Sequence, residues 1–301
     1  MTGWHALILG IIQGLTEFLP VSSSGHLILG SRFLGLPAPG LSFSIAVHVG
    51  TAVATIAMFW DEIAWLVRDI FGRGRDGKIA LANIIIGSIP AALVGLLFKD
   101  AVEALFSTPL AASVGLLVTG CVLKISGRGR ERALSVETAE DSDKKGAGIP
   151  SYRRRKRGNS RPNMRILRDD DGHTPLSTVT TWRALVTGIA QAIAIVPGIS
   201  RSGMTITAGL LSGMSREDSA KFSFLLALPA TLGAALLDLK DLLGTGAETV
   251  TAQLLIGAIV SLITGVFAIS LTYKFVRRGS LDRFAYYCWA LGLLSLFLVL
   301  R

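Results

Sequence analysis

Gly10-Ile-Ile-Gln13-Gly-Leu-Thr-Glu17-Phe-Leu-Pro20-Val-Ser22-Ser23-Ser24-Gly25-His26 is answered in the second half of the chain by Gly188-Ile-Ala-Gln191-Ala-Ile-Ala-Ile-Val-Pro197-Gly198-Ile-Ser200-Arg201-Ser202-Gly203. Gly10, Gln13, Ser22, Ser24 and Gly25 meet Gly188, Gln191, Ser200, Ser202 and Gly203 at one constant spacing, and each copy places a Pro before its Ser-rich turn. Both copies interrupt apolar sequence with helix breakers, hydroxyls and an ionisable side chain. Backbone of that kind at membrane depth is tolerated only where it lines a site, because bare polar groups in hydrocarbon cost several kcal/mol.

Composition fixes the class. Half of the 301 residues are hydrophobic while only 7% are aromatic, and the mean hydropathy is +0.55. Such a chain carries long aliphatic runs and reads as an all-α integral membrane protein. Six uncharged runs are long enough, or nearly so, to cross about 30 Å of hydrocarbon: Leu41 to Trp60, Leu81 to Phe98, Phe106 to Leu123, Phe222 to Leu237, Thr251 to Thr272 and Phe284 to Leu300. The amino terminus lacks the pattern of a cleaved secretory signal. Cys121 and Cys288 fall within predicted spans and imply no disulfide or metal framework.

Phe43-Ser44 and Phe222-Ser223 extend the internal similarity beyond the broken segments. Each half thus holds one broken, re-entrant hairpin followed by three spans, and an odd number of crossings inverts the second copy. The expected organisation is residues 1–125 as the first repeat, 126–181 as a disordered basic cytoplasmic linker and 182–301 as the second repeat, six spans and two re-entrant hairpins in all. Loops rich in Lys and Arg stay in the cytoplasm. Arg68, Arg73, Arg75 and Lys78 follow the first span, the linker follows the third, and Lys274, Arg277, Arg278 and Arg283 follow the fifth. One side takes all three, which puts both termini and the mouth of the first hairpin outside; eight full crossings would scatter the basic loops over both sides. Topology therefore accounts for the net charge of +9, including Arg153 to Arg157, without a nucleic-acid partner.

Arg201 is a guanidinium inside an apolar repeat, and its fork of donors suits phosphate oxygens. Gly198, Ser200 and Ser202 flank it in a turn whose amides would open a half-helix, where the dipole favours an anion. In the first copy, Gln13 and Glu17 share one helix face at i, i+4 spacing. Ser22, Ser23 and Ser24 are candidate nucleophiles or phosphate donors, and His26 a candidate base or nucleophile. His48 lies mid-span and could face the site, but with no acid at helical spacing packing with a hydrogen bond is at least as good a reading. Phosphate-loop, tight metal-site and serine-elbow motifs are absent, so a metal would be held loosely between Glu17 and substrate oxygens.

Gln13-x-x-x-Glu17 with Phe18 to His26, and Pro197-Gly-Ile-Ser-Arg-Ser-Gly-Met-Thr205, resemble the two signature motifs of the undecaprenyl-diphosphate phosphatase family, the bacitracin-resistance type. The resemblance extends to Met58-Phe59-Trp60, Ile89-Pro90-Ala91 and Phe222 to Ala227. It implies hydrolysis of the terminal phosphate of a polyisoprenyl diphosphate, regenerating the carrier lipid for peptidoglycan synthesis. It also implies a divalent cation, Mg2+ or Ca2+, and a bacterial plasma-membrane site open to the extracytoplasmic face. Glu17, Ser23, His26 and Arg201 would be catalytic, with Gln13, Ser22, Ser24, Gly198, Ser200, Ser202 and Thr205 on the substrate. Expected partners are that lipid, the surrounding membrane lipids and, in a homodimer, a second copy of the chain. Gln13 stands where some relatives have Glu, and the 126–181 linker is longer than is usual for the family. A transporter or flippase using the same anion site is the competing class, since inverted repeats with broken helices also carry solutes.

Overall fold

The computed structural model describes residues 1–36, 40–72, 74–106, 108–146, 176, 178–244 and 251–300, with the side chains of 128–146 and 238–244 left aside. Among the described residues the chain forms twelve helices and no strand. The first half holds α1 (Gly3–Phe18), α2 (Ser23–Phe33), α3 (Leu41–Met58), α4 (Trp60–Phe71), α5 (Asp76–Leu97), α6 (Lys99–Phe106) and α7 (Pro109–Gly146). The second holds α8 (Thr181–Ile193), α9 (Arg201–Leu211), α10 (Arg216–Gly244), α11 (Ala252–Arg278) and α12 (Arg283–Leu300).

Six helices are long and apolar enough to cross a membrane: α3, α5, α7 as far as Gly127, α10 as far as Leu237, α11 and α12. They coincide with the six runs read from the sequence. The two broken segments are helix pairs instead, of 16 and 11 residues in α1 and α2 and of 13 and 11 in α8 and α9. Each member falls short of the roughly 20 residues that a crossing takes.

The breaks have local causes. Leu19 ends α1 in an extended conformation, φ −64° and ψ 145°, which is where the residue before a proline is pushed. Pro197 and Gly198 open the second turn, and Gly198 sits at φ +85°, a left-handed conformation that a glycine adopts without strain. Ser22 then caps α2 by accepting from Gly25 N, and Ser200 caps α9 by accepting from Gly203 N. The same serine–glycine pair starts both half-helices.

Packing follows the repeat. Helix α1 lies against α11 as α8 lies against α5, α3 against α11 as α10 against α5, while α3 meets α10 and α7 meets α12. Exchanging the halves maps these pairs onto one another, which is compatible with the expected inverted repeat. The largest apolar core, with Phe18, Phe59, Phe222, Phe224 and Tyr273 fully buried, lies directly beneath the first break. Phe18 meets Phe224 edge-on at 5.8 Å, tying the residue after Glu17 to α10.

Two short helices were not expected, and one of them is pinned. Glu62 of the amphipathic α4 forms a buried ion pair with Lys221 of α10 at 3.5 Å. Burial pushes the Glu62 carboxyl up, against the pull of Lys221. The expected linker also differs at both ends. Helix α7 runs on past 126 to Gly146, through a stretch rich in the helix formers Ala, Glu and Lys. At the other end, the Asp218 carboxylate accepts from Leu176 N, Thr178 N and Thr178 Oγ1, packing these residues down before α8 begins. The rest of the expected linker, residues 147–175 and 177, lies outside the described residues.

Gly115 of α7 faces the second turn so closely that a Cβ there would overlap the Pro197 carbonyl oxygen and the Gly198 backbone. Gly115→Ala is expected to lower stability by about 1–3 kcal/mol through overpacking and to reduce turnover with it. Gly95→Ala in α5, where a Cβ meets nothing within 4 Å, is the control and should leave the thermal midpoint unchanged or raised. Thermal unfolding of both variants in one detergent checks the contrast.

Candidate active site

The Glu17 carboxylate is the point at which the two broken segments meet. From the second segment, Arg201 Nη2 donates to Glu17 Oε1 at 3.0 Å. From the first, Ser23 Oγ donates to Glu17 Oε2 at 2.6 Å, and Gln13 Nε2 to the same oxygen at 3.1 Å. The Arg201 and Glu17 side chains are 16% and 9% exposed, so the pair is largely shielded. Shielding strengthens each of these charge-assisted bonds.

Why these four converge follows from the breaks. Gln13 and Glu17 occupy one face at the end of α1, as their spacing predicted. Ser23 is the first residue of α2 and Arg201 the first of α9, at equivalent positions of the two copies. The first residues of two half-helices therefore reach one carboxylate with their side chains. The N-terminus of a helix favours an anion nearby.

The neighbouring hydroxyls lock the two turns together. Gly198 N donates to Ser24 Oγ at 3.3 Å, and Ser202 Oγ donates to the Leu19 carbonyl at 3.1 Å. Ser22 Oγ lies 3.2 Å from Ser24 Oγ, and Ser200 Oγ 3.2 Å from Ser202 Oγ. Thr205, one turn into α9, bonds the Arg201 carbonyl and lies 2.6 Å from Ser223 Oγ of α10. Gly198 is part of the turn itself. These residues surround the cluster and shape it.

His26 sits apart from the carboxylate. Its Nδ1 is 2.7 Å from the Ser22 carbonyl oxygen, and its Nε2 is 2.7 Å from Tyr287 Oη on α12. Both ring nitrogens are thus engaged outside the Glu17 cluster.

Two contributors were not read from the sequence as site residues. Thr119 of α7 accepts from Ser200 N and donates to the Gly198 carbonyl, both at 2.9 Å, clasping the turn that precedes Arg201. Tyr287 partners His26 from the other half of the chain. His48 of α3 has its Nδ1 2.7 Å from the Ser44 carbonyl oxygen one turn back on its own helix, as a packing residue would.

Two buried polar atoms have no hydrogen-bond partner among the described residues and belong to this cluster, Arg201 Nη1 and Gln13 Oε1. The first is a cationic donor suited to a phosphate oxygen. The second is a hard oxygen ligand beside a carboxylate, the type of donor that Mg2+ and Ca2+ take. Among the described residues no three His, Cys, Asp or Glu side chains gather to hold a metal by themselves. Glu17 and Gln13 therefore fit a cation that takes its remaining ligands from water and substrate.

An acid, a hydroxyl and a guanidinium thus meet where two half-helices begin, inside a membrane protein. The family model described as Bacitracin resistance protein BacA matches residues 6–294. This chain belongs to the BacA family. The undecaprenyl-diphosphatase of Halothermothrix orenii is 37% identical to it, over 98% of this chain and 97% of the relative's own length. That of Desulforapulum autotrophicum is 38% identical over 97% of both chains, and that of Carboxydothermus hydrogenoformans 37% identical over 99% and 98%. The BacA match spans both breaks, five of the six membrane helices in full and α12 as far as Leu294, so the paired centre lies wholly within the shared part.

Proposed function

We propose that this multi-pass membrane protein is an undecaprenyl-diphosphatase, releasing the terminal phosphate of the lipid diphosphate and returning undecaprenyl phosphate to peptidoglycan synthesis. The observation that carries the site assignment is the double engagement of Glu17, by Ser23 on one oxygen and by Arg201 on the other. A carrier would need the guanidinium and the amides but not a serine bonded to a carboxylate at 2.6 Å. The relatives named above bear a hydrolase's name and none a transporter's.

In this reading Ser23 is the nucleophile. Its Oγ attacks the terminal phosphorus as its proton passes to Glu17 Oε2, and the bond from phosphorus to the bridging oxygen breaks, so undecaprenyl phosphate departs with that bond's electron pair. Water then attacks the phosphoserine phosphorus, the bond from phosphorus to Ser23 Oγ breaks, and the proton on Glu17 returns to Oγ as inorganic phosphate leaves with the hydrogens of the water. Arg201, bonded to Glu17 through Nη2, offers its unpartnered Nη1 to the equatorial oxygens, and the N-terminus of α2 stabilises the phosphoserine dianion at its first residue. A cation held by Glu17 and Gln13 Oε1 would neutralise charge on the diphosphate. The isoprenoid tail stays against exposed apolar helix faces, sparing the transfer of its many methylenes to water. In the plasma membrane, the positive-inside pattern supports an orientation with the α1–α2 mouth on the extracytoplasmic side.

Purified protein in detergent is expected to release inorganic phosphate from undecaprenyl diphosphate, to stop in chelator and to resume with Mg2+ or Ca2+. Movement of intact lipid diphosphate across vesicles without phosphate release would replace the hydrolase by a carrier.

A further inference from the structure

The contact between His26 and Tyr287 joins the start of the chain to its last helix. A carbonyl oxygen only accepts, so the 2.7 Å contact between His26 Nδ1 and the Ser22 carbonyl requires a proton on Nδ1. In neutral imidazole Nε2 is then bare, and the Tyr287 hydroxyl at 2.7 Å must donate to it. The rings also stack, with centroids 5.7 Å apart and planes 10° from parallel. Tyr287 is thus a directed partner of one imidazole nitrogen.

What this contact holds is the backbone entering Ser23. Ser22 sits at φ +69° and ψ 104°, a conformation that L side chains rarely adopt and that persists only where its surroundings impose it. Its carbonyl receives the His26 backbone N–H at 3.2 Å as well as Nδ1–H. We infer that Tyr287 is a positioning residue for the nucleophile: through His26 it braces the strained Ser22 peptide and so sets where Ser23 Oγ stands against Glu17. The inference rests on the phosphatase reading for its kinetic consequence and on geometry alone for the hydrogen-bond chain. It gives His26 a part that needs no proton transfer to substrate.

Small displacements of a reacting group cost up to about a hundredfold in rate. Tyr287→Phe, which keeps the stacked ring and removes the hydroxyl, is expected to lower kcat about tenfold with KM within about twofold. The same change made on His26→Ala should add less than about twofold, because both act through one brace. His26→Asn, whose amide can still donate to the Ser22 carbonyl, should lie within about tenfold of wild type and well above His26→Ala. The expected nitrogen-15 NMR signature of His26 in wild type is protonated Nδ1 with bare Nε2, disturbed in Tyr287→Phe. Full activity in Tyr287→Phe, an equal loss in the His26→Ala background, His26→Asn as poor as His26→Ala, or a proton on Nε2 in the resting protein would each overturn the brace. Absence of phosphate release by wild type with the NMR signature intact would instead sink the phosphatase reading and leave the hydrogen-bond chain standing.

Discussion

Ser23→Ala is expected to abolish phosphate release, with kcat lowered by at least about ten-thousandfold, while the thermal midpoint stays within a few degrees of wild type. The size follows from its role: without Oγ no phosphoserine forms, and the remaining machinery only binds and polarises the diphosphate. Stability is spared because Glu17 keeps its bonds to Arg201 and Gln13. Ser24→Ala sharpens the comparison. The Ser24 hydroxyl meets Gly198 N and Ser22 Oγ and makes no bond to the carboxylate, so its removal should cost less than about tenfold, the scale of one ordinary hydrogen bond. Initial rates of phosphate release for the two variants check this. Equal losses at the two serines would remove Ser23 from its assigned place.

Arg201→Ala is expected to lower kcat/KM by about a thousandfold or more, on the scale of an arginine that stabilises a transferring phosphoryl group. Arg201→Lys should recover only part of this, since an ammonium restores the charge but not the planar fork that holds Glu17 Oε1 through Nη2 while offering Nη1. Removing the guanidinium also strands a largely shielded carboxylate, which in buried pairs costs about 3–5 kcal/mol. A thermal unfolding measurement on Arg201→Ala is therefore part of the test. Loss of folding and loss of chemistry are separated by Arg201→Lys, which keeps a cation for Glu17 and is expected to fold.

The sequence carried the fold through hydrophobic run length, and all six membrane helices lie where uncharged aliphatic stretches of crossing length demanded them. It carried the heart of the site for a different reason. Gln13, Glu17, Ser23 and Arg201 break the apolar pattern twice at equivalent places, and groups that costly in hydrocarbon stand out from their surroundings. Thr119 and Tyr287 do not stand out. A threonine and a tyrosine in a membrane helix are ordinary residues, and their importance comes from partners far away in sequence, Gly198 and Ser200 for Thr119 and His26 for Tyr287. Local pattern cannot reveal a contact that only tertiary packing makes. Helices α4 and α6 escaped for a related reason, being too short and too polar to register as spans. Helix α7 extends beyond its expected end because the sequence past 126, though charged, contains helix formers.

A double-variant cycle on phosphate release bears most directly on the claim that one carboxylate joins the two broken segments into a single catalytic centre. Glu17→Gln and Arg201→Gln should each be severely impaired, and the double variant should be no worse than the poorer single one, because both changes dismantle the same assembly. Losses that simply multiply would mean that Glu17 and Arg201 serve separate sites, and the proposed centre would be contradicted.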